Sequence, residues 1–280
     1  MPELPEVEVV RRDLEKEIVG KKIKKVEVRN TKNAMRAIRR HKRRKEFEDA
    51  LAGLKITKID RRGKYILTHL NGKILVSHLG MSGQLSLTKA SAAQENHTHV
   101  VIHFTIGGQL RFVDPRTFGE MFVTEKGELG EVKELQNLGI DPLEQALTWQ
   151  YFSKTLEEKK TKLKALLMDQ KFICGLGNIY SDEILFAAGL RFDRPSNELS
   201  SQEVRRLYRA IQEILQEAIR FRGTSADDEQ YKDLYGALGE FQTQLKVYQR
   251  EGQPCRRCRT PVERARWSNR STFFCPQCQV

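Results

Sequence analysis

The spacing of hydrophobic positions changes character along the chain. Near the N-terminus, Val7, Val10, Leu14 and Ile18 recur at helical intervals, behind a Pro5 suited to a first helical turn. From residue 21 to about 125 the pattern is that of strands. Ile23, Val26 and Val28 alternate loosely with lysines. Residues 64–70 and 73–79 are apolar runs joined by Asn71-Gly72, a two-residue hairpin signal. Val100, Ile102, Phe104 and Ile106 alternate, and Gly107-Gly108 leads into the run 110–113. This half predicts a β-sandwich or barrel with the first helix packed on it.

From about residue 130 the period becomes helical. Ser200 followed by Glu203 has the form of a capping box. Val204, Leu207, Tyr208, Ile211, Leu215 and Ala218 then make one apolar stripe, and Gly223 can stop the helix. The stripe reads as core. Residues 224–240 are polar, contain Gly236 and Gly239, and predict a long mobile loop. Residues 241–248 predict a strand leading into a cysteine-rich end. Strands first and helices second indicate domains of different class, a multidomain α+β chain.

Charge narrows the partner. The 280 residues carry a net charge of +12, which points first to nucleic acid and second to an anionic membrane surface. No apolar stretch approaches the roughly 18 residues of a membrane span. The acidic start is unlike a signal peptide, so a soluble, intracellular protein is expected. Residues 35–45 hold seven lysines and arginines and no acid. A solvated surface loop is the plain reading of that run, and a phosphate-facing patch is the second.

Four of the five cysteines form two pairs, Cys255-x2-Cys258 and Cys275-x2-Cys278, separated by 16 residues. That spacing suits one tetrahedral, closed and therefore structural zinc. Cys174 is left as a free thiol. Between Cys255 and Cys278 lie six arginines and one glutamate, a local charge of six minus one, or +5. This asymmetry favours DNA or RNA over mere solubility.

The start, Met1-Pro2-Glu3-Leu4-Pro5-Glu6, permits removal of Met1 and exposure of a secondary amine at Pro2. An α-amino group titrates near about 7.7–8.0, so a useful fraction is nucleophilic at neutral pH. Attack on a sugar C1′ gives an iminium ion, and Glu3 is near enough in sequence to move protons. The plain alternative, a helix start favouring acids, coexists with this one. Gly175-Leu176-Gly177-Asn178 opens an apolar helix closed by Gly189, a start that suits a phosphate. Asp114-Pro115-Arg116-Thr117-Phe118-Gly119 joins two strands, and Met81 lies in Ser77-His78-Leu79-Gly80-Met81-Ser82-Gly83. Arg116, Phe118 and Met81 could probe a base stack, although Phe118 and Met81 taken singly read as core.

With Arg61-Arg62-Gly63-Lys64-Tyr65, Gly177-Asn178-Ile179-Tyr180 and Asn269-Arg270-Ser271-Thr272 added, the chain resembles the bacterial formamidopyrimidine-DNA glycosylase family end to end. The resemblance implies an N-terminal β-sandwich with a flanking helix (1–140), a helix–two-turns–helix domain with a lesion-recognition loop (141–240) and a C-terminal zinc-finger β-hairpin (241–280). Damaged double-stranded DNA would lie in the cleft between the lobes of a monomeric, cytoplasmic bacterial enzyme. One structural zinc on Cys255, Cys258, Cys275 and Cys278 and no organic cofactor are implied.

The same resemblance implies the roles. Pro2 displaces the damaged base and forms a Schiff base, and Glu3 donates the proton. Lys64 serves β-elimination and Arg270 δ-elimination, so the enzyme is also an abasic-site lyase. Met81, Arg116 and Phe118 fill the void left by the extruded base, and Arg116 faces the orphaned cytosine. Asn178 and Arg270 clamp phosphates; His78, His97, Lys159, Tyr248 and Arg264 are the further DNA contacts. The acidic run within 225–230 departs from the family pattern, and segment 35–45 is more basic than the pattern. Oxidised purines, 8-oxoguanine and formamidopyrimidines, are the expected lesions. One rival is an endonuclease VIII-like enzyme for oxidised pyrimidines, against which Leu4 argues. The other is a non-catalytic zinc-dependent nucleic-acid-binding protein, from which only Pro2, Glu3 and Lys64 separate the chain.

Overall fold

The computed structural model describes residues 2–144, 147–226 and 231–280. The chain forms two compact units, and each is built from two stretches of sequence. The first comprises Met1–Gln136 and Phe221–Gln242, the second Asn137–Arg220 and Thr243–Val280. The segment 221–242 therefore belongs to the strand-rich unit, although it follows the helices in sequence.

In the first unit, helix α1 (Leu4–Ile18) starts with Pro5 in its first turn. Strands β1 (Ile23–Val28), β6 (Thr98–Phe104), β7 (Gln109–Val113) and β5 (Gln84–Thr88) form one antiparallel sheet in the order β1-β6-β7-β5. Strands β2 (Ile56–Arg62), β3 (Tyr65–Leu70), β4 (Lys73–His78) and β8 (Glu120–Glu125) form the other, in that order. Val7, Val10, Leu14 and Ile18 enter one core with Ile23, Ile59, Ile66, Val100, Ile102 and Phe112. The β-sandwich, its hairpin at Asn71-Gly72 and the helix packed on it are as the periodicity predicts.

Segment 35–45 is a loop at its centre, residues 38–43, and helical at both ends. It runs from the end of helix α2 (Lys32–Ala37) into helix α3 (Arg44–Leu51). Alternation of Ala34, Ala37, Ile38 and Phe47 with the cations gives each helix a buried side. Several charges are neutralised: Arg39 and Arg40 meet Glu120 at 3.0 Å, and Arg40 stacks on Phe122 at 3.7 Å. A second departure is the stretch beyond Gly223. Tyr231 and Leu234 are buried in the sandwich core, and the N–H of Leu87 donates to the carbonyl of Leu234. Sparse apolar residues anchor a segment whose polar majority suggested only a loop. The acidic run 227–230 lies outside the described residues.

The first unit's longer stretch ends with helix α4 (Lys133–Gln136), and the second unit holds helices α5 (Trp149–Glu158), α6 (Leu163–Leu167), α7 (Asn178–Ala188) and α8 (Ser201–Arg220). The capping box of α8 is present: the N–H of Ser200 donates to Glu203, and the N–H of Glu203 donates to the Ser200 hydroxyl. Residues 241–248 are not a strand. They form a 3-10 turn at Phe241–Gln244 followed by bends, because buried Glu183 accepts the N–H groups of Lys246, Val247 and Tyr248. A carboxylate takes the donors that a sheet partner would have taken. The chain ends in the hairpin β9 (Glu263–Trp267) and β10 (Arg270–Phe274). Among the described residues no helix is long and apolar enough to cross a membrane.

Candidate active site and nucleic-acid interface

Glu3 is the N-cap of α1, and it closes a capping box with Glu6. The N–H of Glu3 donates to Glu6 Oε2 at 2.8 Å, and Glu3 in turn accepts from the N–H of Glu6. The other oxygen of Glu6 accepts the N–H of Thr224 at 2.7 Å. One buried carboxylate thus holds both the chain start and the stem of the 224–240 segment. Gly223 is required beside it: φ is +83°, and a Cβ there would lie 2.9 Å from the Glu6 side chain. Pro2 is buried next to Glu3.

Lys64 sits in the turn between β2 and β3, after Gly63 with φ of 55°. The turn is braced by Arg61, whose guanidinium donates to Glu8 of α1 at 2.9 Å and to the carbonyl of Gly63 at 3.0 Å. Glu8 also collects Arg11 and Arg12, which together hold its carboxyl below the usual range despite burial. The Lys64 turn is therefore fixed to the helix that carries Glu3. His78 is pushed down to about 4, first by burial and then by the charge of Lys64, so its ring is neutral at pH 7. Its Nδ1 accepts the N–H of Gly80 at 3.3 Å, and the ring lies 4.6 Å from that of Tyr65. The half-buried ring thereby supports the loop that carries Met81.

Asp114 organises the remaining expected residues of this unit. It accepts from the Ser82 hydroxyl at 2.6 Å, from the N–H of Gly119 at 2.8 Å and from the N–H of Arg116 at 3.3 Å. The loop bearing Met81 and the turn bearing Arg116 and Phe118 are thereby joined. A Cβ on Gly80 would lie 2.5 Å from the nitrogen of Gly119, which shows how closely the two backbones approach. Arg116 is exposed, Phe118 is 54% exposed and Met81 is half-buried. Phe118 is thus not a core residue; the Arg116 guanidinium lies over its ring at 5.4 Å. His97 is exposed with φ of 62° and borders a polar hollow with Arg29, Asn30, Asn33 and Asn96. Its carbonyl accepts the N–H of Asp114.

In the second unit, Asn178 opens α7, and its Nδ2 donates to the carbonyl of Ser271 at 2.9 Å. Its Oδ1 is buried and unpartnered among the described atoms. Asn178 is thus tied beside Arg270, which begins β10 and is exposed. Ser268 and Asn269, both with positive φ, make the two-residue turn that presents Arg270 opposite Trp267. Beneath, buried Lys164 meets Asp182 at 2.5 Å, and Asp182 accepts the Thr272 hydroxyl and the N–H of Phe273. Spacing gave no sign of this second support, because a lysine in a helical stripe reads as exposed. Arg264 is engaged by the Ser271 hydroxyl at 3.0 Å, and Tyr248 packs edge-on against Phe273 at 5.3 Å. Lys159 is exposed at the end of α5.

The sulfurs of Cys255, Cys258, Cys275 and Cys278 all lie within 4.8 Å of one another. Two of the separations are 3.9 and 3.4 Å. Tetrahedral thiolates at about 2.3 Å from zinc would be roughly 3.8 Å apart, so the four fit one structural Zn2+. Cys174 is buried away from them, 3.8 Å from Asp141.

Three family models match in chain order: the formamidopyrimidine-DNA glycosylase N-terminal domain over residues 1–121, its H2TH domain over 138–230, and a zinc finger found in FPG and IleRS over 252–280. The chain belongs to the formamidopyrimidine-DNA glycosylase family. It is 41% identical over its whole length to the formamidopyrimidine-DNA glycosylase of Pelotomaculum thermopropionicum, covering 99% of that protein. The MutM (Fpg) protein of Thermus thermophilus superposes with a TM-score of 0.87 at 40% identity, with 99% and 98% of the two chains covered. Lactococcus lactis Fpg bound to DNA containing an abasic site gives 0.89 at 34% identity, with 99% of each chain covered. A point mutant of the L. lactis protein is also known with DNA containing Fapy-dG, and the wild type with DNA containing an oxidised pyrimidine. Family membership places the chain among the DNA glycosylases of base-excision repair and agrees with one structural zinc on the four cysteines.

Proposed function

We propose that the chain excises oxidised purines from double-stranded DNA and then cuts the strand at the resulting abasic site. After loss of Met1, the Pro2 nitrogen bonds to C1′ as the bond from C1′ to the base breaks. Glu3 protonates the departing base, the amine proton passes to O4′ as the sugar opens, and the nitrogen lone pair completes a C1′ iminium. Loss of a C2′ proton then expels the 3′ phosphate, with Lys64 moving the proton. A second elimination, assisted by Arg270, expels the 5′ phosphate. Asn178 and Arg270 bind phosphate, and Met81, Arg116 and Phe118 occupy the vacated stack. Extruding the base costs a few kcal/mol, least for a damaged pair.

The observation that carries this reading is the double use of Glu6, which links the Pro2-Glu3 end to the Thr224 stem. A nucleophile fixed to a lesion-reading segment is what a non-catalytic binding protein would have no use for. Bound oxidised pyrimidine in the L. lactis relative favours a second reading, a preference for pyrimidine lesions. Exposed Phe118 with Arg116 supports the purine choice.

Borohydride trapping on a duplex with 8-oxoguanine opposite cytosine tests the chemistry. A covalent adduct mapping to Pro2 is expected, and it should be lost in Pro2→Gly. Glu3→Gln should abolish base release. The absence of an adduct from a Met1-free protein that binds the duplex tightly would overturn the purine reading. Faster cutting at thymine glycol than at 8-oxoguanine would establish the pyrimidine preference.

A further inference from the structure

On the second unit, the start of α5 and the exposed side of α8 enclose a cup of about 420 Å³ lined by Trp149, Arg205, Tyr208, Arg209 and Gln212. Its floor is preorganised. Tyr208 meets Trp149 edge-on at 5.9 Å, packs on Phe152 at 5.6 Å and donates its hydroxyl to the carbonyl of Leu147 at 2.9 Å. Its rim is cationic. Arg205 lies over the Trp149 ring at 5.6 Å, and Arg209 follows one helical turn later. Neither arginine has a carboxylate partner among the described residues. Along α8 the positions on this side are Ser201, Arg205, Tyr208, Arg209, Gln212 and Gln216. Glu203 and Glu217 fall at other angles of the helix, and Glu213, one turn beyond Arg209, makes no ion pair with it among the described residues.

None of the expected DNA contacts of the unit lines the cup. Lys159 is at the opposite end of α5, about 15 Å along a ten-residue helix. The shape also argues against a nucleobase. The edge-on pair forms a corner rather than a stacking platform, and Arg205 already covers the Trp149 face. A bulky apolar side chain fits the corner, and two unneutralised arginines one turn apart complement neighbouring carboxylates. We propose that this cup docks an acidic peptide segment of a partner protein, with an aromatic side chain in the corner and carboxylates on Arg205 and Arg209.

The test uses the full zinc-loaded chain and fluorescein-labelled peptides read by anisotropy. Asp-Asp-Asp-Phe should bind saturably, while Asp-Asp-Asp-Ala and Lys-Lys-Lys-Phe should bind far more weakly. Arg209→Glu, an exposed substitution, should weaken the first peptide by about tenfold or more. Neither an oligothymidine strand nor a saturating duplex with an abasic-site analogue should displace it. No saturable binding, or an unchanged affinity in Arg209→Glu, overturns the proposal. Displacement by the single strand would make the cup a nucleic-acid site instead, and displacement by the duplex would assign it to the repair interface.

Discussion

His78 shows what a motif leaves out about a single residue. Its surroundings in 77–83 mark it for the interface, and the structure adds that the half-buried ring is held neutral by its burial and by the Lys64 charge. Burial and a neighbouring cation are tertiary facts that no local pattern carries. The consequence is a pH dependence of known sign. Unfolded, the imidazole takes a proton below about 6.5; folded, it resists until about 4. The unfolded state therefore binds more protons in that window, and stability is lost as pH falls from 6.5 to 4. His78→Gln should flatten this part of the stability curve. Urea unfolding at pH 4.5 and 7 measures it; an equal difference between the two pH values in wild type and variant would contradict the assignment.

At the scale of elements, the α1 core face, the hairpins and the α8 stripe were readable because periodicity reports burial directly; only Tyr208 of that stripe is half-buried on the other side of α8. Three segments were not readable. Segment 35–45 has helical ends because Ala34 and Ala37 on one side of its loop and Phe47 on the other are buried, and 241–248 is irregular because distant Glu183 claims its donors. The 231–239 stretch is held by long-range pairing. Arg222 reaches Asp13 of α1 at 2.5 Å and buried Asp233 at 2.6 Å, and Tyr235 donates to Glu17 of α1 at 2.9 Å. Asp233 also accepts the N–H groups of Tyr235 and Ala237, so it orders the turn that it anchors. Arg222 is itself 41% exposed, which moderates the strength of these pairs. Arg222→Ala should still cost about 1–3 kcal/mol, because it leaves a buried carboxylate without its cation. Hydrogen exchange should quicken in 231–239 and leave β3 and β4 unchanged. Uniform quickening across the sandwich would instead indicate global destabilisation.

For the molecule as a whole, the residues of the proposed chemistry divide between the two compact units. The first holds Pro2, Glu3 and Lys64, and the second holds Asn178, Arg270 and the four cysteines. The cysteine spacing disclosed the metal, and the motif order disclosed the family; nothing local disclosed that segment 221–242 returns to the first unit. This division makes the zinc a selective lever. A hairpin of two five-residue strands buries too little to fold alone, so the metal supplies its folding energy. The sandwich has its own core and needs none. Removing zinc should therefore melt the module that presents Arg270 and abolish duplex binding, while the sandwich keeps its thermal transition. Calorimetry with and without a chelator, beside duplex binding at fixed salt, checks both halves. Full duplex affinity after demonstrated metal loss would sink the role given to the module. Loss of the sandwich transition as well would mean that the first unit depends on the second for its stability.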